Sequence, residues 1–195
     1  MYLNNDTKTQ IKTILDNDGV IAFVTDTVWG LGCLPTSEKA VKKIYEIKKR
    51  EAKKPLILMS NEIDNLKPYV KEINSTAQSL IDKHFPGALT LVLEKSQSTA
   101  DYITSNFNTV GIRVPNNQVF KEICETATGH VLATTSANLS NQPAAITFEQ
   151  AKAYMEPKAD LIIEDFGQSA KGLESTVALV LENEIKILRQ GAISL

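Results

Sequence analysis

Short apolar runs alternate with helical stripes along this chain, and the alternation constrains the fold more than any other feature of the sequence. Apolar runs of roughly four to eight residues are typical of buried strands, whereas apolar residues three and four apart indicate a helix face. The first stripe, Ile11, Ile14 and Leu15, stops before Gly19 and is followed by the apolar run 20–24. Because helices and strands keep alternating from there, we expect an α/β domain.

The same two patterns predict the remaining elements. Helices are predicted from a Ser37 cap to Lys48 and over 75–85, 119–127 and 147–155. Strands are predicted over 56–59, 89–93, 110–114, 132–138, 161–163, 176–181 and 185–188. The turn residues 182–184 make the last two strands a predicted hairpin. No crossover helix separates the strands of this hairpin, so a mixed sheet is favoured over a strictly parallel, doubly wound one.

Size and composition favour one globular domain over residues 4–195. The chain has 195 residues, of which 43% are apolar and 23% charged, and its net charge of −2 gives no general attraction to nucleic acid. No run approaches the roughly 18 apolar residues of a membrane span, and the polar amino terminus lacks the pattern of a secretory signal. We therefore expect a cytoplasmic protein without a membrane partner. Cys33 and Cys124 lie far apart and suggest neither a metal site nor a redox pair.

Polar residues gather where apolar segments end, which indicates a ligand pocket. The strand 132–138 finishes in Ser136-Ala137-Asn138, whose small hydroxyl and amide groups suit the floor of a polar site. The segment 25–32 adds hydroxyls, a carboxylate and two glycines that let backbone approach a ligand, although a plain strand-to-helix connection is an equal alternative. Neither a Walker loop nor a dinucleotide-binding glycine pattern is present.

Cations form a second group of candidate residues. The basic stretch 48–55 follows a helix and can present Lys48 and Arg50 to a phosphate, although a solvated helix end explains it as well. Arg113 lies in a strand, either facing the pocket, where its fork suits a carboxylate, or as a surface charge on an edge strand. Turn segments near Ser175 and Arg189 complete the set. His84 and His130 stand in no nucleophile context, so a serine protease-like triad is not supported.

Taken together, these segments closely resemble the YrdC-like family of threonylcarbamoyl-AMP synthases over nearly the whole chain. The resemblance is carried by several motifs in the family's order: Thr25 to Gly32, Lys48 with Arg50, 86–93, 113–115, Ser136 with Asn138, 175–177 and 188–193. It implies a twisted mixed sheet with flanking helices and a concave ligand groove, in the short, single-domain form of the family. Val24 stands where the family usually has proline, and Trp29 where it has tyrosine.

The resemblance implies condensation of L-threonine, bicarbonate and ATP into threonylcarbamoyl-adenylate and pyrophosphate. Magnesium would accompany ATP, no structural metal is implied, and the product would pass to a tRNA-modifying transferase complex as the first step of threonylcarbamoyladenosine formation. Catalytic roles fall by similarity on Lys48, Arg50, Ser136 and Asn138. Threonine would be bound by Thr27, Arg113, Ser175 and backbone near Met59 and Thr134. ATP would be bound by Arg50, Lys54, Thr109, Ser136, Ala144 and Arg189.

Two alternatives compete with the synthase. The first is a relative that binds nucleotide, or RNA weakly, without forming the adenylate, and the basic stretch 48–54 motivates it. The second is the carbamoyl-transfer part of a hydrogenase-maturation factor, which the length of the chain disfavours. Because the positions of Lys48 and Arg50 flank the predicted core, we expect Lys48→Ala and Arg50→Ala to lose turnover with the fold intact.

Overall fold

The fold is built on a sheet whose nine strands all belong to the residues that the computed structural model describes, namely 1–49, 54–140, 142–182 and 184–195. The strands are β1 Ile21–Phe23, β2 Gly30–Cys33, β3 Ile57–Ser60, β4 Leu89–Glu94, β5 Thr109–Arg113, β6 Val131–Ser136, β7 Leu161–Ile162, β8 Thr176–Val180 and β9 Ile185–Arg189. The helices are α1 Asn5–Asp16, α2 Glu38–Lys48, α3 Ser75–His84, α4 Asp101–Thr104, α5 Gln118–Thr126 and α6 Phe148–Met155.

The sheet is mixed, as the sequence predicts, and the doubly wound alternative is wrong. Its order is β7-β1-β2-β6-β3-β5-β4-β8-β9. The pairs β1–β7, β3–β5 and β4–β8 are parallel, whereas the other neighbours are antiparallel. The predicted hairpin is confirmed, because β8 and β9 pair in antiparallel fashion at one edge.

Helix caps follow the predicted chemistry. The Ser37 hydroxyl accepts a hydrogen bond from the Ala40 amide at 3.0 Å and begins α2, while Asn4 caps α1 in the same way. At its other end α2 finishes with Lys48, followed by Lys49 in the left-handed region at φ 47°. The cap and the stop together fix where the Lys48 side chain leaves the helix.

Strand β2 is the one that the sequence analysis missed. Gly30 and Gly32 lie on the side of the sheet occupied by the Phe23 ring, and a Cβ atom at these positions would come within 2.7 and 3.0 Å of that ring. Glycine is therefore required here to pack an aromatic side chain across two strands. The interpretation of 25–32 as a plain strand-to-helix connection is wrong, because β2 intervenes before α2.

The interior contains both cysteines. Cys33 and Cys124 are fully buried as free thiols, and burial raises the pKa of Cys33 to about 12 and that of Cys124 as well. They are therefore inert packing residues. None of the described helices combines the length and the apolar character that a membrane crossing requires.

Candidate active site

A cavity of about 620 Å³ opens where the strand ends and the segment after β1 converge. Its volume is ordinary for a site that takes a small molecule. The sequence-predicted site residues that line it are Thr27, Lys48, Lys54, Met59, Arg113, Thr134, Ser136, Asn138, Ser175 and Arg189. The fold thus brings both predicted groups, hydroxyls and cations, to one place.

Arg113 is held at one end of this cavity by three acceptors from two separate segments, the one after β1 and the one before β4. Its Nε donates to the Gly87 carbonyl at 2.9 Å, its Nη1 to the Thr27 hydroxyl at 2.9 Å, and its Nη2 to Asp26 Oδ1 at 2.5 Å. Only 2% of Arg113 is exposed. Desolvation lowers the pKa of the guanidinium, and the Asp26 carboxylate opposes that change.

The position of Arg113 in the sheet decides between its two interpretations. It ends β5, which lies between β3 and β4 near the middle of the sheet, and it stands opposite Met59 in the parallel pairing. The edge-strand alternative is therefore wrong. A buried, fixed fork that still borders a cavity suits a planar anion such as a carboxylate.

Ser175 and Arg189 lie next to each other on the β8–β9 side of the cavity. Ser175 is buried, and its hydroxyl shares a hydrogen bond of 2.8 Å with Thr90. Arg189 Nη2 donates to the Ser175 carbonyl at 2.9 Å and to its hydroxyl at 3.3 Å. Arg189 also forms an ion pair with Glu174, in which both side chains keep more than a third of their surface exposed. This cation is therefore less firmly fixed than Arg113.

Lys48 is hydrogen-bonded to the strand end that carries Ser136 and Asn138. Its Nζ donates to the Ser136 carbonyl at 2.5 Å, the Asn138 carbonyl at 2.9 Å and Asn138 Oδ1 at 2.6 Å. Asn138 Oδ1 also accepts from the Ser136 hydroxyl at 2.8 Å, and its Nδ2 donates to the Gln142 carbonyl. The amide and the ammonium together shape this corner of the cavity.

This arrangement corrects the expectation about Lys48. The residue does not flank the core but is buried with 2% of its surface exposed. Its ammonium donates to the Ser136–Asn138 corner of the cavity rather than being presented to a phosphate. The reason is local, since Lys48 belongs to the last turn of α2, which directs its side chain inward.

Two predicted ligand residues, Thr109 and Ala144, lie apart from these. Thr109 begins β5 and Ala144 borders a neighbouring groove that shares Val28, Gln142, Glu174 and Arg189 with the cavity, but neither is among the described residues that line the cavity itself. Arg50 lies outside the described residues, so its catalytic and ATP-binding roles stay predictions. Lys54 lines the cavity, and its carbonyl accepts from the Tyr45 hydroxyl at 2.8 Å.

Several residues at the site were not singled out from the sequence. Thr25 and Thr90 have buried hydroxyls that bond to Thr27 and Ser175, and Glu174 holds Arg189. Gln142 contributes a carbonyl to the corner. A signal existed for Thr25, Thr90 and Glu174, since Thr25 and Thr90 lie inside the motifs 25–32 and 86–93 and Glu174 adjoins the motif 175–177, but the pattern of residues gave no role to any of them.

The described residues contain no group of three or more histidine, cysteine or carboxylate side chains placed to hold a metal ion. Neither His84 nor His130 lines the cavity. The polar groups of the cavity are cations, hydroxyls and amides together with Glu174, a set suited to anionic oxygen atoms. The arrangement can bind a carboxylate and phosphates and stabilise negative charge between them.

Comparisons with known proteins agree with this chemistry. The family model Sua5_yciO_yrdC, described as telomere recombination, matches residues 13–191. A threonylcarbamoyl-AMP synthase of Enterobacter sp. is 34% identical over 93% of this chain and 94% of its own length. One from Buchnera aphidicola is 39% identical over 70% of this chain and 79% of its own length.

A solved structure extends the comparison to the fold. The crystal structure of P. abyssi Sua5 complexed with L-threonine is 32% identical, has a TM-score of 0.91 and covers 98% of this chain, which spans 56% of that one. The family model matches far more than half of the chain. From the sheet, the cavity and these matches together, the chain belongs to the Sua5/YciO/YrdC family.

Proposed function

We propose that this chain is an L-threonylcarbamoyladenylate synthase, a nucleotidyltransferase that condenses L-threonine, bicarbonate or CO₂, and ATP. The products are threonylcarbamoyl-AMP and pyrophosphate. The observation that carries the proposal is the preformed fork of Arg113, which borders the same cavity as Arg189, Lys54 and the Ser136 corner. One end suits an amino-acid carboxylate, and the other suits phosphates.

Threonine binds at the Arg113 end in this proposal. Its carboxylate takes the free side of the guanidinium, while the hydroxyls of Thr27 and Ser175 meet its polar groups. Met59 and Thr134 supply backbone, and Met59 stands opposite Arg113 in the β3–β5 pairing. A site with fixed polar groups rejects amino acids that leave those groups unpaired, which favours threonine over its apolar analogues.

ATP binds along the other walls. Lys54, Ser136 and Arg189 line the cavity and face the phosphates, and we assign Arg50, Thr109 and Ala144 to the same ligand on the resemblance alone. Lys48 and Asn138 act by shaping the Ser136 corner, as their mutual hydrogen bond of 2.6 Å supports. Mg²⁺ arrives with ATP, because it is usually bound through substrate phosphates and water rather than by a protein cage.

The reaction needs positioning and charge stabilisation rather than a covalent nucleophile. The threonine nitrogen loses a proton and attacks the carbon of CO₂, or of bicarbonate with loss of hydroxide, to give the carbamate. A carbamate oxygen then attacks the α-phosphorus of ATP. The bond from that phosphorus to the bridging oxygen breaks, and pyrophosphate leaves with the electron pair while cations neutralise it.

The context of this activity follows from its product. A labile adenylate must be consumed quickly, and we propose that a tRNA-modifying transferase complex receives it to make threonylcarbamoyladenosine. ATP and tRNA are both available in the cytoplasm, where we place the protein. We further propose that residues 4–195 act as one YrdC-like domain.

The deciding experiment measures pyrophosphate release from ATP with magnesium, bicarbonate and L-threonine, with each component omitted in turn. We expect release to depend on threonine and bicarbonate, and chromatography to show the adenylate. An Arg113→Lys variant serves as the negative control, since it keeps the charge but loses the fork. Nucleotide binding without threonine-dependent pyrophosphate release would favour the alternative that binds ATP or RNA without catalysis.

A further inference from the structure

Asp26 contacts Arg113, the residue proposed to bind the threonine carboxylate, but lies outside the cavity. Its neighbours Thr25 and Thr27 both line the cavity, whereas Asp26 is not among the described lining residues. Its side chain is 10% exposed, and Oδ1 accepts from Arg113 Nη2 at 2.5 Å. Asp26 therefore acts on a ligand only through Arg113.

The hydrogen bonds of Arg113 show what Asp26 contributes. A guanidinium has five N–H donors. Gly87, Thr27 and Asp26 each accept from a different nitrogen, and no other acceptor for Arg113 occurs within the part of the chain that the structure describes. One N–H on each terminal nitrogen is thereby left for a ligand, and the oxygens of a carboxylate are acceptors for such groups. The acceptors thus decide which donors remain available.

Of the three hydrogen bonds of Arg113, the one to Asp26 is the one that a neutral acceptor would replace least well. Gly87 and Thr27 offer neutral oxygens, whereas Asp26 offers a carboxylate that makes a shorter, stronger bond and balances the buried charge. Without Asp26, Nη2 can turn its donors toward other acceptors or toward water. The fork would then lose its orientation although its charge stayed in place.

The main chain around Asp26 is anchored separately from its side chain. The Gly172 amide donates to the Thr27 carbonyl at 2.9 Å, and the Lys171 amide to the Asp26 carbonyl at 3.4 Å. The Thr25 hydroxyl donates to the Val28 carbonyl at 2.6 Å. A change of the Asp26 side chain therefore leaves the course of this segment supported.

From this geometry we propose that Asp26 is a positioning residue that orients the Arg113 guanidinium so that two of its donors meet the carboxylate of the amino-acid substrate. The proposal rests on the proposed function, since it assigns the carboxylate to threonine. Its distinctive consequence concerns recognition of the carboxylate, not binding of ATP.

The test compares L-threonine with L-threoninamide, which lacks the carboxylate, by calorimetry on the full chain. In the wild type threonine should bind at least about tenfold more tightly than the amide, the size of effect expected of a charged hydrogen-bonded pair. Asp26→Asn keeps an acceptor oxygen but loses the charge, so its ratio should lie between those of the wild type and Asp26→Ala. Asp26→Ala should bring the ratio close to one, with the KM for ATP unchanged.

Two further variants protect the test. Asp26→Glu keeps the charge but moves the carboxylate by one methylene, so it should also lower the ratio. If Asp26→Ala does not fold, Asp26→Glu takes its place in the test. Asp160→Ala removes another ion-paired aspartate, bonded to Lys43 and the Val20 amide, and should leave the ratio unchanged. A loss of ratio in this control would mean that any loss of stability produces it.

The outcomes separate the two proposals. A wild-type ratio in both Asp26→Ala and Asp26→Glu overturns the positioning role, as does an Asp26→Asn variant that loses as much as Asp26→Ala. Selective threonine binding without threonine-dependent pyrophosphate release overturns the proposed function and leaves the role of Asp26 supported. Absence of threonine binding in the wild type overturns both.

Discussion

The two arginines of the cavity differ in burial, in their position in the sheet and in how widely their acceptors are spaced along the chain. Arg113 ends a central strand, is 2% exposed and donates to three acceptors from two separate segments. Arg189 ends the edge strand β9, keeps 45% of its side chain exposed and is paired with the half-exposed Glu174. The same residue type is thus rigid at one end of the site and adjustable at the other.

This difference suggests how one cavity manages two substrates. A small amino acid has few atoms with which to gain specificity, so its partner must be fixed before it binds. A triphosphate carries much charge, and a cation on a surface ion pair can exchange Glu174 for phosphate at small cost. Ser175, which we propose to bind threonine, also accepts a hydrogen bond from Arg189 and so links the two ligands.

The largest expected contrast is in stability. Arg113→Ala leaves the Asp26 carboxylate buried without its partner, so the free energy of unfolding should fall by about 3–5 kcal/mol. Arg189→Ala breaks a surface pair and should change it by less than about 1 kcal/mol. Urea denaturation of the two variants measures both values. Equal losses would show that the two arginines are held alike and would contradict the comparison.

Lys48 should behave like Arg113 although it comes from a helix. Lys48→Met keeps the apolar stem but removes the ammonium from three oxygens, and the free energy of unfolding should fall by about 2–3 kcal/mol together with turnover. Lys43→Met, from the same helix, removes a surface pair with Asp160 and is the matched control, with an expected change below about 1 kcal/mol. A stable but inactive Lys48→Met would restore the role of a phosphate-binding cation.

A lysine at either arginine position separates the fork from the charge. Arg113→Lys should weaken L-threonine binding by about 10- to 100-fold, because a lysine cannot make the bidentate pair. Arg189→Lys should weaken ATP binding by only about two- to fivefold, since a mobile point charge still serves a phosphate. Calorimetry with each ligand checks both. A strong ATP defect in Arg189→Lys would mean that this end is also a fixed fork.

The sequence predicted the parts of this molecule that depend on local pattern. The Ser37 cap, the β8–β9 hairpin and the α/β alternation follow from short-range chemistry, and all three are confirmed. The cavity was predictable because its motifs all end apolar segments. The individual roles of the residues in it needed the resemblance.

What the sequence missed depends on contacts far apart in the chain. Strand β2 escaped because its glycines have no apolar alternation, and the Phe23 ring that requires them is visible only in the sheet. The central position of Arg113 depends on the strand order, and the burial of Lys48 depends on a strand end about 90 residues later. No periodicity within a segment reports such partners.

The smallest expected effect tests whether Arg189 is adjustable. Glu174→Gln removes the carboxylate that competes with phosphate for the guanidinium, so ATP should bind about two- to fivefold more tightly, in keeping with the small value of surface ion pairs. Threonine affinity should stay the same, because Ser175 and Arg113 keep their other partners. Calorimetry with a non-hydrolysable ATP analogue measures the change.

A general field effect of one lost negative charge must be distinguished from this competition. Glu94→Gln removes a carboxylate at the end of β4 that is paired with Lys71, and it should leave ATP affinity unchanged. In an Arg189→Ala background Glu174→Gln should not change ATP affinity, because there is then no guanidinium for which the carboxylate and the phosphate compete. If Glu174→Gln tightens ATP binding equally without Arg189, the carboxylate acts by long-range repulsion, and the ATP end is no more adjustable than the threonine end.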